Sequence, residues 1–175
     1  MGDLVKLKMV YTGAVPGLAV REVNTIKRRA FFGGGVQWHK QFRPKHFTRA
    51  GASEYGYAPR SGERGNTPRG GFRRSYTGRK LKQFGHTRPL EFSGEAKALT
   101  RMRDVRATAT RKRSRVRVVL HANKLNWRNP DSEINMADEL RRISAAERTQ
   151  LIRTIARGTI SGLKRVQRRE TKTIS

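Results

Sequence analysis

The sequence contains no cysteine and only thirteen acidic residues among its 175 residues. The missing cysteine excludes disulfide bonds and thiolate chemistry. Because forty lysines and arginines face so few acids, the formal net charge is +27. Such a charge opposes compaction by self-repulsion, so a strongly acidic partner is expected. Nucleic acid, an anionic membrane and an acidic protein assembly are each compatible with this charge.

Long apolar stretches are missing as well. No run approaches the roughly 18 apolar residues that a membrane-spanning helix needs. The opening residues MGDLVKLKMVYTG lack the layout of a secretory signal. We therefore expect an aqueous, cytoplasmic place of synthesis. The hydrophobic content of 35% suffices for a small core, and the length predicts one domain, residues 1–175, with basic segments that order only in an assembly.

Patterns typical of enzymes are absent from the sequence. The histidines show no metal-ligand spacing with one another or with an acid, and they are His39, His46, His86 and His121. No pair of acids suggests acid–base chemistry, and the nucleophile-elbow, P-loop and zinc-protease motifs are not found. We therefore expect no enzymatic activity, no metal, no cofactor and no small-molecule substrate.

Alternating and helical patterns predict the first elements of the chain. Apolar and polar residues alternate in LVKLKMVYT at 4–12, which is typical of a short strand. Apolar residues then recur at helical spacing over 18–42, but GGG at 33–35 interrupts them. This helix either kinks at the glycines or ends near Phe32, and we favour one helix with a weak middle. A short helix at 76–84 follows.

The second half of the chain predicts a hairpin and a closing helix. VRATAT at 105–110 and RVRVVLHA at 115–122 alternate on both sides of a short polar turn, which indicates a β-hairpin. Ser144 and Glu147 have the spacing of a capping box, so a helix is predicted over 144–169. We expect the apolar stripe of this helix to pack on one face of the hairpin. The stripe consists of Leu151, Ile152, Ile155 and Leu163. The hairpin face consists of Val116, Val118 and Leu120.

Gly158 and Gly162 leave a shallow place on the closing helix, where another element could approach closely. The order of elements predicts an α+β fold. We expect a small domain in which two main helices pack on a short antiparallel sheet, the β-hairpin, with a long basic loop as an insertion.

Lysine and arginine concentrate in separate runs along the chain. The Gly/Arg-rich residues 60–75 are predicted to form a flexible basic arm, and residues 170–175 a disordered tail. Arginine in such runs binds carboxylate or phosphate through charge-assisted hydrogen bonds. The cations expected to bind a partner or DNA are Arg60, Arg64, Arg69, Arg73, Arg74, Arg111, Lys112, Arg113 and Arg115.

The stretch RPKHFTRAGASEYGYAPR at 43–60 is unusually rich in aromatic residues for this chain. Aromatic rings interleaved with arginine could stack on the bases of single-stranded nucleic acid. The alternative is that they pack a turn, and we favour it because they lie at turns beside Pro44, Pro59 and Pro89. The side chains expected to form this buried corner are Trp38, Phe42, Phe47, Tyr55, Tyr57 and Leu90.

Three ordered motifs resemble those of a family of tailed-bacteriophage proteins, the virion-morphogenesis or tail-completion proteins. The motifs are W-H-K-x-F-x-P-x-H-F-T at 38–48, E-Y-G-Y-x-x-R at 54–60 and Y-x-x-R-K-x-x-x-F-G-x-x-x-P-L-x-x-S-G at 76–94. The hairpin and closing helix continue the likeness in the order of elements. The residues that carry it, expected to be structural, are Trp38, His46, Phe47, Thr48, Tyr55, Tyr57, Pro89, Leu90, Ser93 and Gly94.

The resemblance implies a non-enzymatic subunit of the head–tail connector that assembles as a ring joining the capsid portal to the tail. The implied partners are portal or adaptor proteins, the tail terminator or tail tube, and copies of the chain itself, with genomic DNA in the conduit as a further candidate and no membrane. The implied location is the head–tail junction of the virion, after synthesis in the host cytoplasm. The chain departs from the family pattern after Gly94, because the first leucine comes only at Leu99.

A second hypothesis is an RNA-binding structural protein of a ribosome-like ribonucleoprotein. Such proteins share the size, the charge and the Gly/Arg-rich extensions of this chain. A generic DNA-binding protein is a third.

Overall fold

The computed structural model describes residues 5–9, 20–63, 66–101, 103–120, 125 and 134–174, with 5–9 and 167–174 described by their backbone alone. The chain forms two compact units. The first unit comprises 1–42, 103–119 and 143–175, and the second comprises 43–102 and 120–142. The polypeptide leaves the first unit after Phe42 and returns to it twice, and the single domain expected from the length stays a prediction.

Strands and α-helices follow one another in much the predicted order. In chain order they are β1 Val5–Met9, α1 Val20–Gln37, α2 Arg49–Glu54, α3 Tyr76–Phe84, α4 Glu95–Leu99, β2 Arg103–Ala109, β3 Ser114–Leu120, α5 Met136–Leu140 and α6 Ala145–Ile174. The described residues also include a π-helical turn at Trp38–Phe42 and 3-10 turns at Arg43–Phe47 and Phe72–Arg74. The first strand, the short helix at 76–84 and the hairpin are confirmed, and the α+β class with them.

Among the described residues, the sheet has three strands in the order β1-β3-β2, so β1 extends the hairpin. β1 runs antiparallel to β3 and places Val5 opposite Val118. Every second residue of β3 is buried, as the alternating sequence predicts for a sheet with one face on a core. Val116 and Val118 lie at the centre of that face, with no exposed surface.

Helix α1 continues through GGG, and the glycines let it pack closely on two sides. A Cβ atom added to Gly35 would lie 2.7 Å from Cγ2 of Val116 on the sheet. One added to Gly34 would lie 2.8 Å from Cγ1 of Ile155 on α6. Gly33 has nothing within 4 Å at this position. The helix with a weak middle is therefore confirmed as one helix, and two of its three glycines serve close packing.

Helix α6 packs chiefly on α1 and not on the hairpin, which corrects the prediction. Cβ atoms added to Gly158 and Gly162 would lie 3.3 Å from Ala30 and 2.5 Å from Ile26, so the predicted shallow place receives α1. Ile152, assigned to the buried stripe, is 48% exposed. The helix also extends through Ile174, so 170–174 is helical where a disordered tail was predicted, and Ser175 lies outside the described residues.

All six side chains expected in a buried corner are buried, with at most 6% exposure. Trp38 and Phe42 belong to the first unit, and the other four to the second. Because Phe47, Tyr55 and Tyr57 are enclosed, they are not open platforms for nucleic-acid bases. The structural interpretation of these aromatic residues is confirmed.

Candidate functional site

The motif residues of the second unit form a buried aromatic cluster. The rings of His46 and Tyr55 stack with their centroids 3.9 Å apart and their planes 3° from parallel. His46 Nδ1 is hydrogen-bonded to the Tyr57 hydroxyl at 2.5 Å. Burial lowers the pKa of His46 to about 3, so the imidazole is neutral at physiological pH. The cluster can stabilise the fold, but His46 does not change its protonation state near neutral pH.

A buried ion pair adjoins the aromatic cluster. The Arg60 guanidinium donates from Nη1 to Glu139 Oε1 at 2.9 Å and from Nη2 to the other carboxylate oxygen. Glu139 Oε1 also accepts from the backbone N–H of Ala58 at 3.2 Å. Arg60 further donates to the Ala58 carbonyl and lies over the Tyr57 ring, 5.7 Å from its centroid. Arg60 therefore anchors its own unit and is not part of an exposed arm, which corrects that assignment.

Other motif residues shape the backbone locally. Thr48 Oγ1 accepts from Gly51 N–H at 3.0 Å and so caps α2. Leu90 follows the buried Pro89 and adopts a positive φ of 53°, unusual for a leucine. Gly94 has a φ of 88°, which glycine adopts readily, and α4 begins after it, while Ser93 is exposed. Thr48 and Gly94 thus lie where α2 and α4 begin, and the structural role expected for the whole motif set stays a prediction.

Titratable groups near Lys80 form a second polar cluster in this unit. Burial, supported by Arg60 and opposed by Glu63 and Glu91, lowers the pKa of Lys80 to about 8. Lys80 donates to the Arg88 carbonyl. Burial raises the pKa of Glu91, but the hydrogen bond and charge of Lys97, with Arg88 and His86, outweigh it and leave this pKa lowered. The hydrogen bond from Lys80 thus ties α3 to the segment that precedes Pro89.

Within the described ranges, no three histidine or acidic side chains are placed to hold a metal ion. No helix in the same ranges is both long and apolar enough to cross a bilayer.

The predicted partner-binding cations are distributed over both units. Arg69, Arg73 and Arg74 are exposed in the second unit, where the last two belong to the 3-10 turn that begins at the exposed Phe72. Arg64 lies outside the described residues. In the first unit, the hairpin turn exposes three cations and half-buries a fourth on β3; these are Arg111, Lys112, Arg113 and Arg115. The register pairs Lys8 of β1 with Arg115, so cationic residues occupy opposite positions on the two strands.

Described residues of the predicted arm form turns tied to their own unit. Gly62 N–H donates to the Asn66 carbonyl at 2.6 Å, and Thr77 N–H donates to the Ser61 carbonyl at 3.1 Å. Ser75 Oγ accepts from Gly78 N–H at 2.9 Å and caps α3. The exposed arginines of residues 60–75 therefore lie on a segment that is hydrogen-bonded to its own unit.

A groove between α1 and β2 brings apolar and cationic side chains together. Its volume is about 420 Å³, and it is lined by Arg28, Arg29, Phe32, Val105, Arg106 and Ala107. We call it the Phe32 groove, because Phe32, a residue that is 46% exposed, lines it. Arg28 and Arg29 form no ion pair among the described residues, whereas Arg106 Nε lies 2.5 Å from Asp104 Oδ2.

The Phe32 groove was not predicted from the sequence. The signal was present: Arg28 and Arg29 precede Phe32 by four and three residues, so all three share one side of a helix. Val105 and Ala107 belong to the predicted hairpin strand at 105–110, and only the tertiary structure brings them next to α1. This groove offers a binding partner apolar and cationic side chains next to one another.

No protein-family model, no curated protein and no solved structure matches this chain.

Proposed function

We propose that this chain is a non-enzymatic structural subunit of the head–tail connector of a tailed bacteriophage, where copies assemble as a ring between the capsid portal and the tail. Its partners would be the portal or adaptor, the tail terminator or tail tube, and neighbouring copies of itself. The proposal rests on the resemblance of three ordered motifs to virion-morphogenesis or tail-completion proteins.

The supporting observation is that separate motif residues meet in one packed cluster. His46 from the first motif stacks on Tyr55 from the second, and it is hydrogen-bonded to Tyr57. Arg60, which ends the second motif, lies against Tyr57 and closes the cluster on Glu139. This cluster supports the proposal because the motif residues that it joins depend on one another for packing.

Exposed cations agree with a role in assembly. The hairpin turn and the 3-10 turn at Phe72–Arg74 present arginine and lysine to solvent. Acidic neighbours in a particle would neutralise these charges, which repel one another in the isolated subunit. The same observation favours the second candidate, an RNA-binding structural protein of a ribosome-like particle, because exposed Phe72 beside Arg73 suits base stacking.

Two measurements separate these functions. Mass spectrometry of virions and ribosomes purified from the same producing culture should find peptides of this chain in the virions. Sedimentation of the purified chain at high salt should show a ring-sized oligomer, because high salt weakens binding to nucleic acid while sparing apolar contacts. If the peptides occur only in the ribosomes, and if the purified chain is a monomer that carries ribosomal RNA, the connector function is wrong and the RNA-binding function is favoured.

A further inference from the structure

Strand β2 forms one edge of the described sheet, since the strand order is β1-β3-β2. The Phe32 groove follows this edge. Val105 and Ala107 pack toward the core beside α1, whereas Arg106, between them, points to the opposite face by the period of a strand. The groove is lined by all three residues and by none of β3, so side chains from both faces of β2 meet in it.

We propose that the edge of β2 and the Phe32 groove bind an extended, acidic segment of another protein. The segment would pair with β2 through backbone hydrogen bonds, as peptides do when they add a strand to a sheet edge. One apolar side chain would enter the groove against Phe32, Val105 and Ala107. Carboxylates on the segment would meet the guanidinium groups at the rim. This inference does not depend on the chain being a virion protein.

Charge complementarity identifies the occupant as acidic. Three arginines line the groove, and Asp104 is the single acid paired with any of them among the described residues. The guanidinium fork fits a carboxylate with two parallel hydrogen bonds. A basic or neutral segment would leave Arg28 and Arg29 without compensation beside an apolar wall.

A second copy of this chain is a poor occupant. Most acids of the described residues are already engaged by their own chain, including Glu91 with Lys97, Asp138 with Arg141, and Glu139 with Arg60. Single-stranded nucleic acid fits less well too, because such sites stack successive bases on several aromatic rings. The lining of the Phe32 groove contains a single aromatic ring, and its other apolar walls are aliphatic.

Fluorescence anisotropy with the full chain tests the proposal. The probe is a short labelled peptide that alternates leucine and glutamate, and the comparison peptide replaces each leucine by serine at the same charge. The alternating peptide should bind at least about tenfold more tightly, since one well-buried apolar side chain contributes about that factor. A third peptide, N-methylated at every second residue, should bind more weakly because it cannot complete the strand pairing.

Two triple variants with the same charge change locate the binding. The groove variant is Arg28→Ser, Arg29→Ser and Arg106→Ser, and the control variant is Arg148→Ser, Arg153→Ser and Arg157→Ser. All six side chains are exposed, so both variants should fold. The groove variant should weaken binding about tenfold or more, and the control about twofold at most, because only nearby charges act at physiological salt. Phe32→Ser should weaken binding without changing the charge.

Hydrogen exchange on the unaltered chain gives a readout that needs no variant. The alternating peptide should slow exchange of β2 amides and leave the turn at 110–113 unchanged. Equal weakening by both triple variants, or equal binding of the leucine and serine peptides, would overturn the proposal in favour of unspecific attraction. Displacement of the peptide by an oligonucleotide whose binding needs Phe32 would overturn it in favour of a nucleic-acid site.

Discussion

The Arg60 guanidinium and the Glu139 carboxylate form a buried ion pair, although the two residues lie 79 positions apart in the chain. The two side chains are 10% and 3% exposed. The pair ties the motif segment to α5 within the second unit. An arginine that composition assigned to a solvent-facing arm is thus enclosed, and its charge is balanced by one of the few acids of the chain.

Removing one partner of this pair should strongly destabilise the second unit. Glu139→Gln leaves the Arg60 charge buried without a counter-charge, and such changes cost about 3–5 kcal/mol. The adjacent acid provides a control, because Asp138→Asn breaks an exposed pair with Arg141 and should cost at most about 1 kcal/mol. Urea unfolding of both variants measures the difference. Equal costs would show that the Arg60–Glu139 pair does not hold the unit.

The glycines of α1 should respond in opposite directions to alanine. Gly35→Ala places a methyl group against Val116 and should lower the free energy of unfolding by up to about 2 kcal/mol, because overpacking exceeds the gain in helix propensity. Gly33→Ala meets open space and should raise it by about 0.5–1 kcal/mol. Thermal unfolding followed by circular dichroism tests both. A stabilised Gly35→Ala chain would contradict the close packing of α1 on the sheet.

The capping box at the start of α6 has the predicted reciprocal hydrogen bonds. Glu147 N–H donates to Ser144 Oγ at 3.2 Å, and Ser144 N–H donates to Glu147 Oε2 at 3.3 Å. Ser144→Ala should therefore cost about 1 kcal/mol of stability. Thr149→Ala, which removes an exposed hydroxyl bonded to its own helix, should cost less. Urea unfolding of the two variants measures both losses of stability. A larger loss for Thr149→Ala than for Ser144→Ala would contradict the stabilising role of the cap.

Stability should decrease as the pH is lowered, because of His46. Its pKa is about 3 in the folded chain, against an ordinary value of 6.5 for an exposed histidine. Between these values the unfolded chain binds a proton that the folded chain does not. The contribution is complete above pH 6.5 and is lost as the pH falls toward 3, by roughly 1.4 kcal/mol per pH unit.

Urea unfolding between about pH 5 and 6.5 isolates this slope from the titration of most carboxylates. His46→Gln should flatten it. Tyr57→Phe should retain it, because burial and not the Tyr57 hydroxyl lowers the pKa of His46. An unchanged slope in His46→Gln would remove His46 as its source.

The exposed arginines of the second unit should matter for assembly and not for folding. Replacing Arg69, Arg73 and Arg74 by serine changes solvent-facing side chains, so thermal stability should shift by at most about 0.5 kcal/mol. If the chain is a connector subunit, the same variant should join fewer heads to tails in electron micrographs of lysates. Arg60→Ser, in contrast, should unfold the unit. If the triple variant forms normal particles, these arginines are solvent-exposed side chains that assembly does not need.

Much of the local structure could be predicted because its signals lie within a few residues of one another. Alternation identified β1 and the hairpin, and the spacing of Ser144 and Glu147 identified the start of α6. The turn position of Tyr55 and Tyr57 identified them as buried. The Phe32 groove escaped prediction, because its walls come from α1 and β2 and no local pattern pairs those two segments.

The sequence by itself determined the net charge, the periodicity of the strands and helices, and the caps, since each depends on neighbouring residues and on backbone geometry. The tertiary structure decided which faces meet. It placed α6 against α1 through Gly158 and Gly162, and it enclosed Arg60 with Glu139. The physical reason is that an apolar stripe needs an apolar surface and a buried charge needs a counter-charge, and several segments of the chain could provide either one. Only the packing of the whole chain selects which segment does.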